Sequence, residues 1–248
     1  QCPIGAERFP LWRQLVPECQ MTDFVRQVET AIPYPIKALV AFGMNVRMFP
    51  QASRLKKAIQ SLDFVLGVDL FETDLCMELA DIVLPACSSL ERSELKGYSG
   101  GYITCTAPAI PPLYESKPDT VIICELAKRL NLNDPLLESG YEATMAHIIS
   151  NLSVDMESLK QNELPVKVSD GDLTPYIPGT YLNNGFETST GKIELFSERI
   201  NALGRKDYDP LPVYRDSADM ADKEQYPFTL ITGVRLPHVI HSHLHEVK

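Results

Sequence analysis

The sequence has no pair of cysteines spaced to hold a metal. Its six cysteines, at 2, 19, 76, 87, 105 and 124, are nowhere fewer than eleven residues apart. The C-x-x-C pairs of zinc ribbons and iron–sulfur loops are therefore absent. Positive charge is also short. Against 33 acidic residues stand 23 Lys and Arg, a net charge of −10. That balance argues against nucleic acid or an anionic membrane surface as partner. The longest apolar run, residues 38–43, is far too short to span a bilayer, so direct membrane insertion is not expected. There is no G-x-G-x-x-G, no G-x-x-x-x-G-K-[ST], no G-x-S-x-G and no H-E-x-x-H. These absences remove support for the ordinary dinucleotide fingerprint, the P-loop, the hydrolase elbow and the zincin helix.

What is present is the alternation of a parallel α/β sheet. "KALVAF" (37–42) is a continuous apolar run, expected for a strand covered on both faces. A "GMN" turn follows, and Pro50 suits the first turn of a helix whose stripe is Ala52, Leu55, Ile59 and Leu62, with Arg54, Lys56 and Lys57 toward water. "DFVLGVD" (63–69) is the next buried strand, Thr73 is placed to cap a short helix through Leu79, and "ADIVLP" gives a third strand. An edge strand is expected at 102–106. A helix is expected over "KPDTVIICELAKRL", with Ile122, Ile123, Leu126, Ala127 and Leu130 as its stripe. "TDFVRQVETAI" reads as an earlier helix capped by Thr22, residues 132–172 as short helices and loops, and "TSTGKIELFS" as ending in a strand.

Strand, helix, strand, helix, strand implies a doubly wound, mostly parallel, Rossmann-like sheet with right-handed crossovers. The polar, proline-punctuated stretch before "FTLITGVR" suggests a domain boundary near 224. That makes 1–224 an α/β domain and 225–248 the opening strand of another. The chain starts without methionine and stops just after that strand, which reads as a piece of a longer polypeptide. Cys76, Cys87, Cys105 and Cys124 lie among apolar neighbours, where free cysteine acts as a small hydrophobe in a reducing compartment.

Ligands of open α/β sheets lie beyond the carboxyl ends of the strands, which singles out the loops at 43–45, 69–73 and 85–98. Gly43 lets the backbone approach a ligand, and amides at a following helix N-terminus attract phosphate. Asp69 can accept from a base or a ribose, or serve as a turn aspartate. Asp119 fits a helix N-cap equally well, and Arg92 beside Glu91 fits a surface pair. The tail "RLPHVIHSHLHE" holds four of the five histidines. On a strand, His241, His243 and His245 would share one face, compatible with a metal but without a matching acidic or cysteine ligand. No nucleophile stands beside a base.

Five strings, "ALVAFGMN", "VLGVDLFETDLCMELADIVLPACSSLE", "ESKPDTVIICELAKRL", "ETSTGKIELFSE" and "LITGVRLPHVIHSH", resemble in order the later part of the molybdopterin oxidoreductases, the dimethyl sulfoxide reductase family. The resemblance implies the second nucleotide-binding α/β domain, followed by the first strand of the C-terminal β-barrel domain. Together these cradle one of two molybdopterin guanine dinucleotides that hold molybdenum or tungsten. By motif position it implies Gly43 and Asn45 beside the diphosphate or ribose, and Val68 and Asp69 at the guanine end with Arg92 and Asp119 closing around it. Thr232, Gly233, Arg235, His241 and Ser242 would lie along the pterin and phosphates. Val46 stands where the family commonly has proline, and Val234 displaces the expected arginine to 235.

The family's metal ligand and its 4Fe–4S cysteines belong to earlier domains, so no catalytic or metal residue is assigned here. The isolated piece is expected to be inactive and to hold no cofactor. Its implied partners are the remaining domains of the same polypeptide and an iron–sulfur electron-transfer subunit. Two other readings stand beside this one: a self-contained NAD-type dehydrogenase domain, and a metal-binding module on the histidine tail.

Overall fold

A computed structural model of the chain describes residues 2–16, 18–98, 100–168, 178–214, 222, 224–228 and 230. In chain order the elements are α1 (Pro10–Leu15), α2 (Phe24–Thr30), β1 (Ala38–Phe42), α3 (Ala52–Gln60), β2 (Phe64–Asp69), β3 (Ile82–Pro85), β4 (Glu94–Tyr98) and β5 (Tyr102–Thr106). There follow α4 (Asp119–Arg129), α5 (Pro135–Ser139), α6 (Tyr141–Ile148), α7 (Met156–Gln161), β6 (Val166–Lys167), α8 (Thr180–Asn184) and α9 (Glu198–Asn201). Two compact units emerge, one of residues 28–177 and one of residues 1–27 with 178–248.

In the larger unit β1, β2 and β3 pair in parallel in that order, with Phe42 opposite Val68 and Asp69 opposite Pro85. The three apolar runs became these strands because each is short, β-branched and ended by Gly, Asp or Pro. Gly67 lies close under a single π-turn (Leu75–Leu79): a Cβ there would sit 3.4 Å from Ala80 Cβ and 3.5 Å from Cys76 Sγ. On the opposite face Leu66, Val68 and Ile122 form a buried cluster with Leu84, Ala86 and Leu126, so α4 packs across β2 and β3. In α3 the buried residues are Leu55, Ala58 and Ile59.

A second sheet is antiparallel, β4–β5–β6, so the strand at 102–106, expected at an edge, is its centre, flanked by β4 and β6. Its core is Ile103, Cys105, Ile149 and Leu159. Parallel pairing thus covers three strands, while the hairpin partner β4 and the short β6 lie outside the expected pattern. β4 escaped notice because "ELKGY" alternates weakly and finds its place only across the Gly-Gly turn from β5.

Several local expectations are corrected. β1 is not covered on both faces: Val40 is 50% exposed and Phe42 36%. The segment after β2 is a π-turn entered at Asp74, with no side-chain cap from Thr73. Thr22 lies inside a 3-10 turn whose cap is Gln20, and Pro118 rather than Asp119 precedes α4. Ile123 and Leu130 of α4 are exposed. No strand forms at 192–196, where Ile193 and Leu195 are exposed and pair with no strand among the described residues.

The smaller unit is pinned at Asp23, whose buried carboxylate accepts from Arg26 Nε and Nη2 (2.8 and 2.7 Å) and from Arg8. The Arg26 hydrogen bonds chiefly hold its pKa below the ordinary value against the opposing effect of burial. Glu194 fastens the 189–194 turn by accepting from Ser189 Oγ, Thr190 N and Thr190 Oγ1. The cysteines at 76, 87, 105 and 124 are buried and Cys2 and Cys19 exposed, none of them in a disulfide. No described helix is long and apolar enough to cross a membrane.

Candidate functional site

The loops that leave β1, β2 and β3 meet at one end of the parallel sheet. Gly43 turns the chain there at φ +57°, and its N–H donates to Val68 O at 2.9 Å. A Cβ at this position would meet nothing within 4 Å, so the glycine opens onto free space. Asn45 Oδ1 then accepts from Arg47 N (3.1 Å), which starts a 3-10 turn over Val46–Met48. The helix whose first turn was expected at Pro50 begins at Ala52. Phe49 precedes Pro50 and is held extended at ψ 147°, and an extended residue interrupts a helix. The amides facing the space beyond Gly43 are therefore those of a turn.

Asp69 is anchored within its own loop. Its Oδ1 accepts from Leu70 N (2.8 Å), its Oδ2 from Thr73 Oγ1 (3.3 Å), and its carbonyl from Ala86 N (3.0 Å). A carboxylate has about four acceptor positions, so the two used leave capacity in a fixed orientation. Val68 is only 1% exposed and belongs to the core cluster, so only its backbone takes part in the rim. Beside these loops lies a charge cluster that the sequence reading missed. Arg47 Nε and Nη2 clasp Asp74 (2.8 and 2.5 Å), while Lys56 Nζ bridges Asp74 and Glu78 (2.8 and 2.9 Å). Hydrogen bonds from Arg47, then Lys56, bring the Asp74 carboxyl down to about 2. Lys56 thus faces an acidic pair and not open water.

The rim continues outward through the loop after β3. Cys87 N donates to Lys117 O (3.0 Å) and Lys117 N to Pro85 O (3.1 Å), forming an isolated parallel bridge that extends the sheet to the start of α4. Arg92 is drawn inward: its Nη1 donates to Cys87 O (2.9 Å), and its Nε (2.7 Å) and Nη2 bond Glu94. Asp119 Oδ2 lies 3.8 Å from Arg92 Nη1. The expected surface pair of Glu91 and Arg92 does not form, because Glu91 is buried and bonded elsewhere. Arg92 and Asp119 line a cleft of about 480 Å³ with Glu94, Lys96, Tyr141 and Met145. Tyr141 OH donates to Ser93 O (2.5 Å), and burial raises its pKa.

Of the residues proposed from sequence, Gly43, Asn45, Val68 and Asp69 lie at the ends of β1 and β2, while Arg92 and Asp119 line the cleft beyond β3, which none of the first four lines. Thr232, Gly233, Arg235, His241 and Ser242, and the histidine tail with them, lie outside the described residues. Among the described residues no group of three His, Cys, Asp or Glu could hold a metal ion.

Parts of this chain are similar to known proteins. Residues 18–129 match the molybdopterin oxidoreductase family. The chain is 27% identical over 208 residues to a probable oxidoreductase, YoaE, of Bacillus subtilis, covering 80% of this chain and 28% of that protein. It is 28% identical over 227 residues to a trimethylamine-N-oxide reductase of Haemophilus influenzae, covering 82% of this chain and 27% of the reductase. The fold matches acetylene hydratase from Pelobacter acetylenicus with a TM-score of 0.73 and 25% identity, over 93% of this chain and 32% of the hydratase. Residues 18–129 thus resemble a molybdopterin oxidoreductase domain, and similar proteins include a trimethylamine-N-oxide reductase and a putative dimethyl sulfoxide reductase catalytic subunit. The chain spans 27–28% of the length of the first two relatives.

Proposed function

We propose that this chain is the part of a bis-molybdopterin guanine dinucleotide oxidoreductase that cradles the nucleotide end of one cofactor. One observation carries the reading: the loops of β1, β2 and β3 and the start of α4 set Gly43, Asp69, Arg92 and Asp119 along one end of a single parallel sheet. The residues present fit the group. Open space beyond Gly43 admits a diphosphate to the backbone, and the Asn45 amide NH2, left over once its oxygen bonds Arg47 N, suits an anionic or ribose oxygen. The Asp69 carboxylate can accept from guanine N1 and N2 hydrogens, a donor pair that adenine lacks. Hydrogen bonds to a charged acceptor contribute roughly 1.5–3 kcal/mol each, sufficient for base preference.

When bound, the cofactor's molybdenum or tungsten supplies electron or oxygen-atom transfer, and the chain's own task is to hold and orient it. In this reading residues 225–248 open the β-barrel domain, and Thr232, Gly233, Arg235, His241 and Ser242 contact the pterin side. The other domains of the polypeptide complete the site, and an iron–sulfur subunit exchanges electrons with it. In the full-length enzyme, Asp69→Ala should lower molybdenum content per protein, read by metal analysis of purified enzyme. Wild-type metal occupancy in that variant would overturn the assignment.

A further inference from the structure

Glu91 is one of few buried charged residues described, and all its hydrogen bonds run to two loops that border the rim. Ser88 N and Ser88 Oγ donate to Oε2 at 2.8 and 2.6 Å. Leu113 N and Ser116 Oγ donate to Oε1 at 2.7 and 3.0 Å. Each oxygen thus receives one backbone amide and one hydroxyl. Ala109 N and Ile110 N reinforce the same junction by donating to Leu90 O at 2.8 and 3.1 Å. Glu91 directly precedes Arg92, and Ser116 stands three residues before Asp119.

From this geometry we infer that Glu91 is a positioning residue: by clamping residues 88–92 to residues 113–116 it fixes the spacing of Arg92 and Asp119, the two residues that in the cradle reading close around the guanine held by Asp69. Glu91 itself touches no ligand. This rests on the nucleotide-cradle reading above. The four donors hold the Glu91 carboxyl at about 2, the Ser88 hydroxyl contributing most, so the clamp is ionised under ordinary conditions.

Glu91→Gln is the informative substitution, because it keeps the shape and replaces one acceptor oxygen by an NH2. Either Ser88 N or Leu113 N must then face a donor, and a buried donor without an acceptor is destabilising. The test titrates GDP, ADP and pyrophosphate into the full 248-residue chain and its variants by calorimetry, with amide hydrogen exchange alongside. Glu91→Gln should lower the GDP-over-ADP preference roughly tenfold, the change produced by about 1.4 kcal/mol. Pyrophosphate affinity, set at the Gly43 end, should be retained, and exchange should quicken in residues 88–92 and 113–119.

Ser116→Ala, which removes one hydroxyl donor, should move both readouts in the same direction by less and serves if Glu91→Gln fails to fold. A parallel loss of all three affinities would mean general destabilisation and would overturn the inference. So would a variant with wild-type GDP-over-ADP preference or with unchanged exchange in both loops. Should the wild-type chain ignore GDP, the cradle reading falls, and the exchange data still decide whether Glu91 clamps the loops.

Discussion

The inner and outer parts of the rim are built on different principles. In the inner part the side chains of Asn45 and Asp69 are held by hydrogen bonds that span one to four residues: Arg47 N to Asn45, and Leu70 N and Thr73 Oγ1 to Asp69. The outer part, Arg92 and Asp119, is held through Glu91 by partners 22 and 25 residues away in sequence. Short-range bonds fix a loop's own shape but leave it free to move as a unit. Long-range bonds fix two loops against each other. In the proposed cradle the first kind would lie beside the diphosphate and the second beside the base.

The largest expected effect is one that should abolish this contrast. Ile59 of α3 is 0% exposed, and truncation to alanine leaves a cavity. Ile59→Ala should destabilise the larger unit by about 3 kcal/mol, measured by urea denaturation, and raise hydrogen exchange in both parts of the rim. Gly43→Ala should act on the inner part alone. Nothing lies within 4 Å of the added methyl, so its effect is confined to the left-handed φ of +57°, about 1 kcal/mol. Exchange in 88–92 should not change; if it does, the two parts are coupled.

Acid and salt should separate the parts more subtly. Asp74 and Glu91 both have carboxyls near 2 in the folded chain, below the ~4 of the unfolded one. A lowered carboxyl pKa contributes stability that is present above the unfolded value and lost as pH falls toward the folded one, so both parts should loosen between about pH 5 and pH 2. Salt should affect only one of them. Arg47 is largely exposed and pairs with Asp74 by charge, whereas the Glu91 donors are neutral amides and hydroxyls. At about 1 M salt, where screening acts within ~3 Å, melting and exchange should report a weakened Arg47–Asp74 clasp and an unchanged Glu91 clamp.

The same division of range explains what could be read in advance. β1, β2, β3, β5 and α4 were legible because each is announced by its own apolar spacing and terminators. The positions of Gly43 and Asp69 at strand ends followed directly. Glu91 was half legible: Ser88 and Glu91 have the S-x-x-E spacing of a capping box, in which the glutamate reaches back to the serine N–H. Its other half, Leu113 and Ser116, carries no local signal. Asp119 suggested a cap and proved to be the first residue of α4, beside Arg92.

The sequence by itself determined β1, β2, β3 and β5 and the turns that end β1, β2 and β3, since apolar period, glycine and proline act within a few residues. Only the tertiary structure decided that the loop after β3 is clamped to the loop before α4, that Lys56 and Arg47 share Asp74, and that β6 pairs with β5. Those contacts join residues far apart along the chain. Their energy is gained only after the chain has been brought together, so no local pattern records them.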